Sequence, residues 1–268
     1  MTPTHKTLVE ICVDSLASAI AAERGGADRI ELCIDLDEGG ITPNSQLIRD
    51  VRAAVKIKLQ VLIRPRAGNF TYSNEELSTM AAQIAQAKSL GADGVAIGVL
   101  HRDGSVDIAA TTNLVETAKP LDVTFHRAFE LACAASGDSQ ALEDVIATGC
   151  NRILTSGVAR AKFEGSVSAL NGVASLRALI ATAHNRIAIL AGGGIREHNV
   201  REIVKRTGAR EVHSSLNPSA AAESTIADAP SVAVSHASSS HHVATQVADP
   251  PSVVQAFQVR SFISAARL

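Results

Sequence analysis

Tryptophan is absent from this chain, tyrosine occurs once (Tyr72), and aromatics make up only 3% of the residues. A large core must therefore be built from Val, Ile, Leu and Ala, and apolar residues reach 46% of the 268 positions. Strands buried on both faces of a parallel sheet have this branched, non-aromatic composition. No apolar run approaches the ~20 residues that span a bilayer, which argues against a membrane partner. Charge of one sign is also missing: 25 Lys and Arg stand against 27 Asp and Glu, with a pI near 6.5. Without a basic stripe interleaved with aromatics, nucleic-acid binding is not expected. Met1–Lys6 holds no apolar h-region, so no secretory signal is expected. The four cysteines (Cys12, Cys33, Cys133, Cys150) form neither CxxC pairs nor a disulfide framework, and read as reduced cytoplasmic thiols.

What is present is a strict alternation. Short apolar segments at 7–13, 28–33, 58–64, 93–99, 121–127, 151–156, 186–191 and 210–214 read as strands. Ala-rich stretches with helical spacing, such as Ser15–Arg24, Asn74–Leu90 and Ala174–His184, lie between them. Asp14 or Ser15, Asn44, and Ser73 or Asn74 are N-cap candidates. Gly25–Gly26, Gly91, Gly149 and Gly208 stand where helices exit. Eight strand–helix units favour a closed (β/α)₈ TIM barrel over an open doubly wound sheet. The pattern breaks at 216–249, a segment rich in Ser, Ala and His that includes His236, His241 and His242. It reads as a long loop before a last helix at Ser252–Ala266, the alternative being a tail outside the domain; residues 1–268 are otherwise one barrel domain.

The two-residue period of strands sorts the side chains. Val9, Ile11 and Val13 should face the helices, which sends Glu10 and Cys12 into the barrel. The same parity turns Glu31 and Cys33 inward on the second strand, and Gln60, Leu62 and Arg64 on the third. It also turns in Thr124 and His126 on the fifth strand, and Glu211 and His213 on the eighth. A buried charge costs several kcal/mol unless paired or metal-bound. Glu10, Glu31, Arg64, His126 and His213 therefore read as the catalytic candidates at the C-terminal mouth, where barrel active sites lie. The competing explanation is an ion-pair network, such as Glu31–Arg64, that only plugs the barrel.

Two further features stand at the mouth. The strand exits Thr155–Ser156–Gly157, Gly192–Gly193–Gly194 and Ser214–Ser215 are small and polar, and suit an anion held by backbone N–H groups. With Arg66 on the third exit loop as a clamp, they point to a carboxylate or phosphate ligand. Repeated E-x-C units, EICVD at 10–14 and ELCID at 31–35, end the first two strands. Neighbouring strands lie ~4.8 Å apart, so Cys12 and Cys33 are either a soft Cu(I) ligand pair or small core fillers.

The segments EICVDSLASAIAAERGGADRIELC (10–33), EGGITPN (38–44), IRPRAGNFTYS (63–73), VTFHRAFE (123–130), LTSG (154–157), AGGGI (191–195) and EVHSS (211–215) occur in order. Together they resemble the CutC copper homeostasis proteins from about residue 8 to 215. Ala67 and Asn69 depart from the family, which more often has Gly and Asp there. The resemblance implies a cytoplasmic TIM barrel of copper homeostasis and trafficking, often a homo-oligomer. It also implies that the copper-ligand cysteine pair of the animal members corresponds to Cys12 and Cys33. Two functions follow for testing: a Cu(I)-binding homeostasis protein, and an enzyme acting on a small anionic or phosphorylated metabolite. In the enzyme, Arg64 or Arg66 would clamp the anion and His126 or His213 would shuttle a proton near neutral pH.

Overall fold

A computed structural model describes residues 6–159, 168–216 and 253–267. Eight parallel strands close into a barrel in sequence order, as expected from the alternation. They are β1 (Leu8–Val13), β2 (Arg29–Leu32), β3 (Lys58–Leu62), β4 (Gly94–Ile97), β5 (Asp122–Phe125), β6 (Arg152–Thr155), β7 (Ala188–Ala191) and β8 (Glu211–Ser214). Each is trimmed by up to two residues per end relative to its apolar run, because the ladder stops before the inward alternation does. The β1–β8 register, with Glu10 opposite His213, closes the ring and brings together residues 203 apart in sequence.

Around the barrel lie α1 (Leu16–Gly25), α2 (Ser45–Ala54), α3 (Asn74–Ser89), α4 (Ile108–Ala118), α5 (Phe129–Ser136), α6 (Asp138–Ala147), α7 (Val173–Ala183), α8 (Glu197–Thr207) and α9 (Ala256–Ala266). Their starts follow local chemistry. Ser15, Asn44 and Ser73 accept from the N–H three residues on, and Ser73 forms a full capping box with Glu76. β5 and β6 are joined by two helices, α5 and α6, and Cys133 sits in α5. α9 packs against α1 and α8 and completes the outer layer. A Cβ on Gly25 would lie 2.3 Å from Val259 Cβ, so this closure needs glycine. The 216–249 segment beyond Leu216, with its three histidines, and Pro250–Pro251 lie outside the described residues.

The strand parity holds. Val9, Ile11, Val13, Ile30, Leu32, Leu59, Val61 and Ile63 join the helices in one core between sheet and outer layer. Inside the barrel a separate small apolar cluster forms from Cys12, Cys33, Leu62 and Ala96. β4 lines the interior only with small residues, since a Cβ on Gly94 would lie 2.1 Å from Gln60 Oε1. That thin wall is what leaves room for larger inward side chains on β3 and β5.

Candidate functional site

The polar interior is layered. Deepest lies an alternating chain of charge. Arg29 donates to Glu10 and to Glu211 Oε2 (2.8 Å), and Arg152 Nε donates to that same oxygen at 2.7 Å. Arg29, Glu10 and Arg152 are all buried. The plugging network anticipated as Glu31–Arg64 thus runs instead through Glu10, Arg29, Glu211 and Arg152. Arg29 shares parity with Glu31, so strand period alone would have found it. Arg152 is legible the same way, two residues before the inward Leu154.

One layer up, this network supports His213. Its Nδ1 lies 2.7 Å from Glu10 Oε1, which leaves Nε2 turned toward Glu31 Oε2 at 3.9 Å. Burial raises the pKa of Glu10, but the Arg29 guanidinium and the His213 imidazole overcome it and bring it down to about 2. Burial opposes charge on His213, yet its bonds to Cys12 and Glu10 and the nearby Glu31 hold its pKa well above the usual range. Glu31 itself is pushed up, chiefly by burial. Without an ion these surroundings favour a proton on His213 Nε2, which a cation bound at that nitrogen would have to displace.

The Cys12 thiol stands close to His213, with Cys33 behind it. Cys12 Sγ lies 3.6 Å from Cys33 Sγ, and both side chains are buried and unoxidised. The bond to Cys33 and burial raise the Cys12 pKa. The ligand atoms of Cys12, Glu31 and His213 all fall within 4.8 Å of one another. Thiolate–metal bonds are about 2.3 Å, so sulfurs on a shared ion lie within roughly 4.6 Å, and the cysteine pair satisfies that limit. Metal-ligating histidines commonly have a carboxylate behind them, and Glu10 stands in that position behind His213. The donor set fits a soft or borderline cation.

The third and fifth strands form another pole. Arg64 leaves β3 and is buried, donating to the carbonyls of Glu38, Gly40 and Gly68 at 2.8 Å each, which pins two exit loops. His126 follows β5, tilted against Phe70 with ring centroids 4.8 Å apart. Arg66 is turned outward onto its own loop and the start of α3. It bonds Glu76 at 2.5 Å and the Thr71 carbonyl at 2.8 Å.

The glycine- and serine-rich exits are organised from within. Ser156 N–H and Oγ donate to Glu130 Oε1 at 2.9 and 2.6 Å, and Arg127 grips the same carboxylate. Glu130 is fully buried on α5, where strand parity says nothing. Ser214 Oγ donates to the Ile195 carbonyl at 2.7 Å. Gly192 N–H continues the ladder to Thr155 O at 2.9 Å. A Cβ on Gly192 would meet Leu154 Cδ1 at 2.5 Å and His213 Cβ at 3.3 Å, so this glycine makes room for His213. Gly193 and Gly194 take φ of 95° and 60°, a turn that favours glycine.

The CutC family model matches residues 7–218. A CutC family protein from Xanthomonas axonopodis pv. citri is 45% identical over 215 residues, 80% of this chain and 85% of that one. The human copper homeostasis protein cutC homolog is 44% identical over 208 residues, 78% of this chain and 72% of its own. The crystal structure of CutC from Streptococcus agalactiae superposes with a TM-score of 0.72 at 30% identity, covering 78% of this chain and 98% of that one. Phosphoribosylanthranilate isomerase from Thermotoga maritima, at 13% identity and a TM-score of 0.56 over 97% of this chain and 98% of its own, shares the barrel fold alone.

Proposed function

The chain belongs to the CutC family, and from that premise we propose that it serves copper homeostasis by binding Cu(I) at the barrel mouth between Cys12 and Cys33. The observation that carries this reading is the 3.6 Å sulfur–sulfur separation between two buried thiols that pack with Leu62 and Ala96. Soft thiolates select Cu(I) over harder ions, and a low-coordinate ion needs few donors. His213 and Glu31 supply nitrogen and oxygen within reach, so a third ligand is at hand. Copper here is the ion handled, and no turnover is required.

The reading takes residues 1–268 as one barrel domain acting in the cytoplasm, where thiols stay reduced, and as a homo-oligomer. No helix among the described residues is long and apolar enough to cross a membrane. The test is anaerobic competition for Cu(I) against a chromophoric chelator. About one Cu(I) per chain is expected, and its loss in Cys12→Ser, Cys33→Ser. Unchanged stoichiometry in the double variant would falsify the proposal.

A second reading, an enzyme acting on a small anionic or phosphorylated metabolite, is favoured by one observation. The buried Arg64 and His126 follow β3 and β5, away from the strands that bring in the thiols, and a two-sulfur copper site makes no use of them. A thermal-shift screen of anionic metabolites, repeated on His126→Ala, tests it. Absence of any ligand shift removes it.

A further inference from the structure

His126 follows directly on β5, and the inward alternation through Thr124 carries its ring into the mouth. β4 yields space for it: a Cβ on Gly98 would lie 2.3 Å from its Cε1 and 2.5 Å from its Nδ1. Phe70 lies against the ring, and the residue is only 5% exposed.

Its two nitrogens differ. Nδ1 accepts from the Ala128 backbone N–H at 3.2 Å. A nitrogen that accepts carries no proton, so the neutral ring bears its hydrogen on Nε2. Nε2 is buried and meets no acceptor among the described residues. A buried donor left unmade is costly, because water has been removed and nothing replaces it. Burial, then the positive Arg64 and Arg127, hold the His126 pKa down at about 3. The ring is therefore a fixed neutral N–H donor at physiological pH, not a proton carrier, and its charged neighbours favour an acceptor of negative charge.

We propose that the barrel mouth binds a small organic carboxylate, one of whose oxygens accepts the His126 Nε2–H. One orphan donor beside an aromatic face suits a planar carboxylate. A phosphate, with three strongly hydrated oxygens, needs several converging donors to leave water. The contacts that build this site come from Gly98 just after β4, His126 just after β5 and Phe70 in the loop after β3, whereas Cys12 belongs to β1 and Cys33 follows β2. The proposal concerns a ligand rather than a metal, and stands apart from the copper reading.

The test uses the full chain stripped of metal by a chelator, so the fate of the copper site does not enter. Protein labelled with ¹⁵N-histidine is titrated with acetate, pyruvate and malonate at pH 7, with inorganic phosphate as a parallel arm. The expected result is a His126 protonated on Nε2 before addition and a saturable shift of that N–H with at least one carboxylate. By calorimetry the same carboxylate binds at least tenfold more weakly to His126→Phe, and binds His126→Gln, which keeps an N–H, more tightly than the Phe variant. A His126 protonated on Nδ1, no saturable shift with any of the three, or equal affinity in the Phe variant overturns the proposal. Tighter binding of phosphate than of every carboxylate overturns it too. Should the Phe variant not fold, the tautomer and the wild-type titration decide alone.

Discussion

The two halves of the barrel mouth handle their polar groups in opposite ways. Around β1, β2 and β8, donor atoms of Cys12, Glu31 and His213 lie within 4.8 Å of one another, and Cys33 Sγ lies 3.6 Å from that of Cys12. Around the exits of β6, β7 and β8, the groups that look most like an anion cradle are occupied at home. Ser156 is bonded to Glu130, Ser214 to the Ile195 carbonyl, and Gly192 to the strand ladder. Polar residue type alone does not distinguish a ligand site from a self-satisfied turn. What distinguishes them is whether donors converge on a common point or are already spent on the chain.

The largest effect expected from disturbing this contrast lies beneath it. Arg29→Ala leaves the buried Glu10 with His213 alone and the partly buried Glu211 with Arg152 alone, and should destabilise the fold by about 3 kcal/mol in denaturant unfolding. A loss below about 1 kcal/mol would mean that the network is not the support of the thiol half. Next comes Glu10→Gln, which keeps the shape and removes the charge behind His213. Metal affinity, measured by competition, should fall about 10–100-fold while the Cys12–Cys33 pair remains. An unchanged affinity would show that His213 does not ligate.

Ser214→Ala removes from the other half a hydroxyl that donates to Ile195 O and accepts a longer bond from Arg196. It should cost about 1 kcal/mol and leave copper stoichiometry untouched, because the hydroxyl is already committed to Ile195 O. A change in copper binding would dissolve the contrast between the halves.

The smallest effect near neutrality concerns the pole on β5. The His126 pKa is about 3 in the folded protein, below the ordinary histidine value of 6.5, so the unfolded chain holds the extra proton between those limits. This part of the stability is complete above pH 6.5 and is lost as pH falls toward 3. The slope of stability against pH over that window should therefore be shallower in His126→Phe than in the wild type. Equal slopes would show that His126 is not held neutral.

Much of this was legible beforehand. Eight strands, the Ser15, Asn44 and Ser73 caps, and the inward set Glu10, Cys12, Glu31, Cys33, Arg64, His126 and His213 follow from period and parity. Arg29 and Arg152 obey the same parity and could have been included. Glu130 could not, because it sits on a helix and reaches Ser156 only through the fold. Arg66 has the residue type of an anion clamp, but its loop bends it back onto Glu76.

The chain by itself determined the barrel and the face to which each strand residue turns, because alternation and capping are set by neighbours a few positions away. Only the tertiary structure decided which inward groups pair and which are left to meet a ligand. Those partners come from distant positions: Glu10 meets His213 across 203 residues, and Arg29 meets Glu211 across 182. Barrel closure sets these distances, and hydrogen-bond satisfaction depends on distance rather than on residue type.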